Sequence, residues 1–200
     1  MFIQVIRGQV ADADAVRAAL HRWTEDVAPA ATGSLGTTAA VTPDATCIVL
    51  VRFESEAAAR HNDERPEQVE WRAETATLYT GDITVLDSTD VVVGFAGGSD
   101  DAGFVQVIQG RTGDAARMRA WNAQPPTSPL RGLRPDMIGW TLLLHDGDRY
   151  TKTVYLTSED AAREGEQREV PPDAMAEKDS WMLSDTTFYD LREPWLYSPK

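Results

Sequence analysis

The chain has 200 residues, of which 42% are hydrophobic and 26% charged, and a formal net charge of −13 at pH 7. Such proportions are typical of a soluble globular protein with one large domain or two small ones. The acidic charge argues against nucleic acid and anionic membranes as partners, because both require a basic surface. No apolar run approaches the roughly 18 residues that a membrane-spanning helix needs.

Two features of the sequence indicate the cellular compartment, namely the cysteine content and the first ten residues. With Cys47 as the single cysteine, an internal disulfide is excluded. The first ten residues, MFIQVIRGQV, resemble a β-strand and lack the basic-then-apolar order of a signal peptide. We therefore expect a cytoplasmic protein.

The sequence repeats itself. Three segments recur in the same order at offsets of 102 or 103 residues: 2–8 and 104–110, 55–60 and 158–163, and 82–87 and 185–190. The first pair, FIQVIRG and FVQVIQG, shares five of seven residues. Three ordered matches at nearly constant spacing indicate a duplication. We predict a first repeat over 1–95, a polar linker over 96–102 and a second repeat over 103–200.

In chain order, each copy begins with an apolar strand, residues 2–8 in the first. A helix over 12–27 follows, on which Val16, Leu20, Trp23 and Val27 recur at helical spacing. Two strands over 36–42 and 46–53 come next, joined by a turn.

The remaining elements of the copy are a helix and a strand. Ser55 and its counterpart Ser158 resemble N-caps of a helix. Pro66 in the first copy and Pro171-Pro172 in the second predict that this helix is broken into two pieces. A last strand covers 82–87 or 185–190. The tails that follow, 89–95 and 192–200, are interpreted as arms that close over the neighbouring half.

A βαββαβ unit forms a four-stranded antiparallel sheet with both helices on one face, so its other face must also be covered. We therefore predict an α+β fold in which two tandem ferredoxin-like βαββαβ repeats form an intramolecular dimeric α+β barrel. The element order, the FxQVIxG strand and the tandem layout resemble the dimeric α+β barrel superfamily, in particular the antibiotic-biosynthesis-monooxygenase-like group. That resemblance implies cofactor-free oxygenases, haem-degrading enzymes or proteins without a known activity, because the fold does not fix the function.

Strand alternation separates the two faces of each predicted sheet. In the first strands, Ile3 and Val5 are predicted to face the helices, and Gln4 to point into the barrel together with its counterpart Gln106. A buried glutamine needs a hydrogen-bond partner. Two interpretations stay open: a pocket amide that orients a ligand, or an amide pair that bonds across the barrel. Haem-degrading relatives carry a catalytic asparagine in this strand, where this chain has the longer glutamine.

Further candidate residues follow from the third strands. There the inner face is predicted to carry Arg52 in the first copy and Thr151, Thr153 and Tyr155 in the second. Because the second set is more polar, we predict the ligand pocket in the second half. Gln106 and Tyr155 would orient a substrate, and Arg52 would stabilise an enolate-like anion.

Histidine and tryptophan supply the last candidates. His61 lies on the second helix, where the resemblance implies acid-base or haem-iron roles, but Trp71 follows it in an order that haem enzymes do not show. We therefore predict no haem and no metal site, and assign His61 a catalytic role. Trp71 and Trp140 are candidates to wall a flat aromatic ligand, although most tryptophans in small sheets are core residues.

Three hypotheses remain open for the function. The first is a cofactor-free monooxygenase or isomerase acting on a small aromatic or polyketide-like compound. A second is a non-catalytic ligand-binding or stress-associated protein, and a third is a barrel packed shut without a pocket. The expected partner is a small organic molecule, and the expected assembly is a monomeric pseudo-dimer or a homodimer of it.

Overall fold

A computed structural model describes residues 1–95, 97–123, 132–183 and 185–199. Ala96, the first residue of the predicted linker, and Lys200, the last residue of the second tail, lie outside these residues. Within them, no helix is both long and apolar enough to span a membrane. The chain forms two compact units: unit 1 comprises 1–89 and 195–200, and unit 2 comprises 90–194.

Unit 1 has the predicted βαββαβ order with one added strand. Its elements are β1 (Phe2–Gln9), α1 (Ala13–Arg22), β2 (Ser34–Val41), β3 (Thr46–Phe53), α2 (Glu56–Asp63), α3 (Pro66–Ala76), β4 (Thr84–Ser88) and β10 (Trp195–Tyr197). Between α1 and β2, a π-helical turn covers Trp23–Val27. The helix predicted over 12–27 therefore exists, but its last turn is wider than an α-helix.

Unit 2 repeats this order. Its elements are β5 (Val91–Phe95), β6 (Phe104–Arg111), α4 (Ala115–Asn122), β7 (Met137–Leu144), β8 (Arg149–Leu156), α5 (Glu159–Glu166), α6 (Pro172–Asp179) and β9 (Thr187–Leu191). Each sheet is antiparallel and five-stranded, in the order β10-β2-β3-β1-β4 in unit 1 and β5-β7-β8-β6-β9 in unit 2.

Local sequence signals start and stop the helices where expected. Ser55 accepts a hydrogen bond from the Ala58 amide at 3.1 Å, and Ser158 accepts one from Ala161 at 3.2 Å. Both serines are therefore N-caps, as predicted. Pro66 and Pro172 open new helices because proline lacks the amide that would continue the preceding one. The predicted break of the second helix is confirmed in both units.

The two tails become the fifth strands. Residues 91–95 follow β4 in the chain but pair with β7 in unit 2, and residues 195–197 pair with β2 in unit 1. The interpretation of the tails as crossing arms is thus confirmed. The compact units therefore do not coincide with the sequence repeats. Unit 1 includes residues 195–197 from the end of the second repeat, and unit 2 includes residues 91–95 from the end of the first.

The pairing register of the strands shows that the first strands face the other way from the prediction. Gln4 stands opposite Val51, and Gln106 stands opposite Val154. Directly paired residues share a face of the sheet, and Val51 packs with the helix-facing core. Gln4 and Gln106 therefore lie on the helix side, and the prediction that they point away from the helices is wrong. Ile3 and Val5 lie on the opposite face. Because β1 is apolar on both faces, its sequence alone does not show which face packs against the helices.

Candidate functional site

The space between sheet and helices is filled by aromatic side chains in unit 1. Trp23 is 4% exposed and donates its indole N–H to Oε1 of Gln68 at 2.8 Å. Its ring lies 6.2 Å from that of Trp71 and 5.9 Å from that of Tyr197, measured between ring centroids. The indole N–H of Trp71 donates to the carbonyl of Ala19 at 2.9 Å. These rings make the core of unit 1 on its helix side.

Unit 2 has a cavity of about 400 Å³ in the corresponding place. Its floor is formed by residues of β7 and β8, and its walls by α4, α5, α6 and the segment before β7. The described lining residues are Trp121, Asn122, Leu133, Arg134, Met137, Trp140, Lys152, Gly165, Glu166, Arg168, Val170, Ala174, Met175 and Lys178. A volume of this size suits a small organic ligand.

Equivalent positions of the two units carry side chains of different size at this place. Isolated bridges join Tyr79 to Val10 and Met182 to Thr112, so the offset of 103 holds through the last helices. At this offset Trp71 of α3 corresponds to Ala174 of α6. Replacing a tryptophan by an alanine removes an entire indole from the interior, and Ala174 lines the cavity.

A second exchange at an equivalent position acts in the same direction. Asn62, which accepts a hydrogen bond from Arg65 at 3.0 Å, corresponds to Gly165. A Cβ at Gly165 would lie 2.5 Å from Nε of Arg134 and 2.9 Å from Oδ1 of Asp136, so only glycine lets that ion pair approach α5. The Arg134 guanidinium binds the Asp136 carboxylate with both Nε and Nη2, at 3.0 and 2.7 Å. This pair shapes one wall of the cavity.

The floor of the cavity carries a cation beside an aromatic ring. Lys152 lies on β8, where unit 1 has Val49. Its Nζ donates to Oδ1 of Asn122 at 2.8 Å and lies 5.2 Å from the centroid of the Trp140 ring. Asn122 and Trp140 are only 4% and 2% exposed. Lys152 is thereby held at a defined place, by a hydrogen bond to α4 and by a cation–π contact within the sheet.

Glu166 is the one carboxylate among the described lining residues. It pairs with Arg163 at 3.1 Å, and Nε2 of Gln106 approaches its Oε1 at 3.5 Å. Gln106 also donates to Oδ1 of Asp190 at 3.0 Å, and Arg163 is ion-paired with Asp190. A chain of hydrogen bonds thus runs from β6 and β9 to the cavity wall.

The same hydrogen-bonded arrangement is found in unit 1. Gln4 donates to Oδ1 of Asp87 at 2.9 Å, and Arg60 binds Oδ2 of Asp87 at 2.8 Å. Arg60 lies over the ring of Phe2, as Arg163 lies over that of Phe104. Each glutamine thus has its side-chain partner within its own unit, on the helix side of the sheet. Each amide ties the first strand of its unit to the last.

The remaining strand candidates lie on the helix-free face, as predicted, and away from the cavity lining. Arg52 is 5% exposed and donates to Oγ1 of Thr38 at 3.2 Å. Thr151 is buried and contacts Gln109 at 3.2 Å and the His145 ring at 3.0 Å. Thr153 and Tyr155 are buried on the same face. None of these four residues is among the described residues that line the cavity of unit 2.

Of the other candidates, only Trp140 lines the cavity. His61 is exposed on α2, and Trp71 belongs to the core of unit 1. Sequence reasoning missed Trp121, Asn122, Lys152 and Glu166. One signal was available: Lys152 shares its strand face with Val154 and Leu156, a charged residue within an otherwise apolar row. Among the described residues, no group of three or more His, Cys, Asp and Glu side chains could hold a metal ion.

Comparison with known proteins identifies solved structures with a similar fold. No protein-family model matches the sequence, and no curated protein matches it either. Two solved structures share the name "putative monooxygenase". The one from Lactobacillus acidophilus is 13% identical with a TM-score of 0.72, covering 98% of this chain and 99% of its own. The one from Fusobacterium nucleatum is 9% identical with a TM-score of 0.75, covering 98% and 94%.

A third structure, of an anthrone oxidase-like protein, is 10% identical with a TM-score of 0.63 and covers 98% of this chain and 92% of its own. At these identities the likeness concerns the fold. All three matches extend over almost the entire chain, so both units and their order are included. The chain therefore has the fold of these solved structures, with two α+β units in tandem on one polypeptide.

Proposed function

We propose that unit 2 binds a small, partly aromatic organic molecule in its helix-side cavity and oxygenates it without a cofactor. The observation that carries this proposal is the cavity of about 400 Å³ with Trp121 and Trp140 in its lining and Lys152 on its floor. Indole side chains provide flat apolar surfaces for an aromatic ring. The structural likeness to monooxygenase-like proteins supports the reaction class, and unit 1 has a structural role.

The reaction needs a substrate whose own carbanion can reduce oxygen. An activated aromatic methylene, such as that of anthrone, loses one proton to give a delocalised oxyanion. This anion transfers electrons to O₂ and forms a peroxide at the same carbon. Loss of water then leaves a ketone, so that one CH₂ and one O₂ yield one C=O and one H₂O. The substrate is oxidised by four electrons and O₂ is reduced by four.

The lining offers a group for each of these tasks. Glu166 is the residue we assign to proton removal, since it is the carboxylate of the described lining. Lys152 would stabilise the oxyanion through its positive charge, which a partly enclosed cavity strengthens. Gln106 becomes a positioning residue, because its amide contacts Glu166 at 3.5 Å from behind the wall. Tyr155, His61 and Arg52 have no part in this mechanism.

Oxygen uptake with anthrone as the probe tests the proposal. We expect protein-dependent uptake of one O₂ per anthrone, formation of anthraquinone, and a rate at least tenfold lower in Glu166→Gln. The matched control is Glu164→Gln, an exposed residue of α5 outside the cavity lining. Binding of anthrone without protein-dependent uptake would instead support the non-catalytic ligand-binding alternative, which the same cavity favours. Absence of binding would refute both.

A further inference from the structure

One wall of the cavity in unit 2 carries a charged pair that unit 1 lacks at the equivalent place. Strands β2 and β7 begin 103 residues apart and have a register shift at the same point, so this offset also relates the segments that precede them. At this offset Arg134 stands where unit 1 has Ala31, and Asp136 stands where it has Gly33. Unit 1 therefore forms the same fold without either charged side chain.

The pair is buried and closely fitted. Asp136 is 6% exposed, and a buried carboxylate is costly unless a cation binds it. The Arg134 guanidinium supplies that cation, through Nε at 3.0 Å and Nη2 at 2.7 Å. Gly165, where unit 1 has Asn62, leaves the space in which the pair lies. Three equivalent positions thus differ together, and the fold itself requires none of these differences.

Arg134 has more donors than Asp136 uses. A guanidinium carries five N–H groups, and a side-on contact with a carboxylate takes one from Nε and one from Nη2. Among the described residues, Asp136 is the one side chain that accepts hydrogen bonds from Arg134. The bidentate contact fixes the plane of the guanidinium, and Arg134 lines the cavity. A ligand oxygen can therefore be bound by the outer N–H groups, chiefly those on Nη1.

The charges of the pair indicate which kind of oxygen it binds. Because the Asp136 carboxylate offsets the charge of Arg134, a ligand anion would be repelled by that carboxylate at close range. A neutral carbonyl oxygen gains a hydrogen bond from a charged donor without this repulsion. Trp121 and Met137 in the same lining offer apolar contacts to a ring. The wall therefore suits a ring that carries a ketone oxygen.

We infer that Arg134, held by Asp136, is the residue that recognises the ligand of this cavity, by donating a hydrogen bond to a neutral carbonyl oxygen on its ring. Asp136 is a positioning residue, since it acts through the guanidinium. This inference rests on the proposed ligand site but not on the proposed oxygenation. It makes Arg134 the residue that selects ketones over hydrocarbons of the same shape.

Two probes of nearly equal shape test the inference: 1-tetralone, which has a ketone oxygen, and tetralin, which has a methylene in its place. Binding is measured by calorimetry with the full-length protein. We expect the wild type to prefer 1-tetralone by about tenfold, as for a hydrogen bond from a charged donor. The double variant Arg134→Met, Asp136→Leu removes the pair without leaving a carboxylate unpaired. It should lose this preference by weakening 1-tetralone binding, while tetralin binding stays within twofold.

Infrared spectroscopy gives a second measurement, which a purely structural role of the pair would not change. The C=O stretching frequency of bound 1-tetralone should be lower in the wild type than in the double variant, because a hydrogen bond weakens the carbonyl bond. The control for both measurements is Arg149→Met, an exposed residue of β8 outside the cavity lining, which should behave as the wild type.

Several results would overturn the inference. Equal affinities of the wild type for both probes would do so and leave the aromatic-ligand proposal standing. A preference for 1-tetralone that survives in the double variant would also overturn it. Loss of tetralin binding in the double variant would show that the pair shapes the wall and does not select the ligand. Failure of both probes to bind the wild type would overturn the inference together with the proposed ligand site.

Discussion

Trp71 and Ala174 occupy equivalent positions on the last helices of the two units, and Trp71 places its ring in the core of unit 1 where Ala174 lines the cavity of unit 2. The Trp71 indole is anchored to the Ala19 carbonyl at 2.9 Å and packs against Trp23. Ala174 is buried at 9% exposure and borders open space. At this position the two units thus differ by one large ring.

Replacing Trp71 by alanine should create a cavity in unit 1. We expect Trp71→Ala to lower the free energy of unfolding by about 2–3 kcal/mol, less than for a fully buried tryptophan, because the Trp71 ring is half-buried. Added indole should recover part of this loss, because it fits the space left behind. Urea unfolding with and without indole measures both effects. Trp71→Phe is the matched control, and a loss below about 1 kcal/mol would show that the ring does not support the core.

The reverse change should close the cavity of unit 2. In Ala174→Trp the new indole occupies the space of the ligand, so we expect the affinity for 2-naphthalenemethanol to fall at least tenfold. Ala176→Trp places the same ring on the exposed face of α6 and should leave the affinity unchanged. Calorimetry compares the three proteins, and thermal unfolding checks that each is folded. An unchanged affinity for 2-naphthalenemethanol in Ala174→Trp would show that this ligand does not bind in the cavity.

The two strand glutamines should contribute equally to stability. Gln4 and Gln106 make matching bonds, at 2.9 Å to Asp87 and 3.0 Å to Asp190. We expect Gln4→Ala and Gln106→Ala each to lower the free energy of unfolding by about 1.5–3 kcal/mol, the range for a hydrogen bond to a charged group. Urea unfolding of both variants gives the comparison. A difference above about 1 kcal/mol between them would contradict a shared structural role.

Alkaline pH should destabilise unit 1, because the Cys47 thiol and the Tyr79 hydroxyl lie together in its interior. Burial raises the pKa of the Cys47 thiol, and also that of the Tyr79 hydroxyl, which donates to the cysteine sulfur at 3.4 Å. Both groups are neutral when protonated, so the folded state holds its protons at a pH where the unfolded state releases them. Stability is therefore fully present below the ordinary thiol pKa of 9.0 and falls as pH rises above it.

Urea unfolding between pH 7 and pH 10.5 measures this fall. The double variant Cys47→Ala, Tyr79→Phe removes both titrating groups, so we expect a shallower decline than in the wild type. Tyr197→Phe, which keeps the ring beside Trp23, serves as the control. Identical slopes in the wild type and the double variant would show that the pair does not cause the alkaline loss.

The sequence by itself determined the repeat, the order of elements and the capping of the helices. These are local properties: Ser55 and Ser158 cap because a hydroxyl reaches an amide three residues on, and Pro66 starts a new helix because it lacks an amide. The crossing arms could also be anticipated, since each follows a last strand with apolar residues that need a partner.

Tertiary structure alone decided the faces of the first strands and the place of the cavity. Gln4 lies in a strand that is apolar on both sides, and only its register against Val51 assigns it to the helices. The cavity required knowing that Ala174, Lys152 and Trp121 meet, although they belong to three different elements. Alternation along a strand shows which residues share a face, but not which face packs against the helices. Only the packing of the other elements shows that.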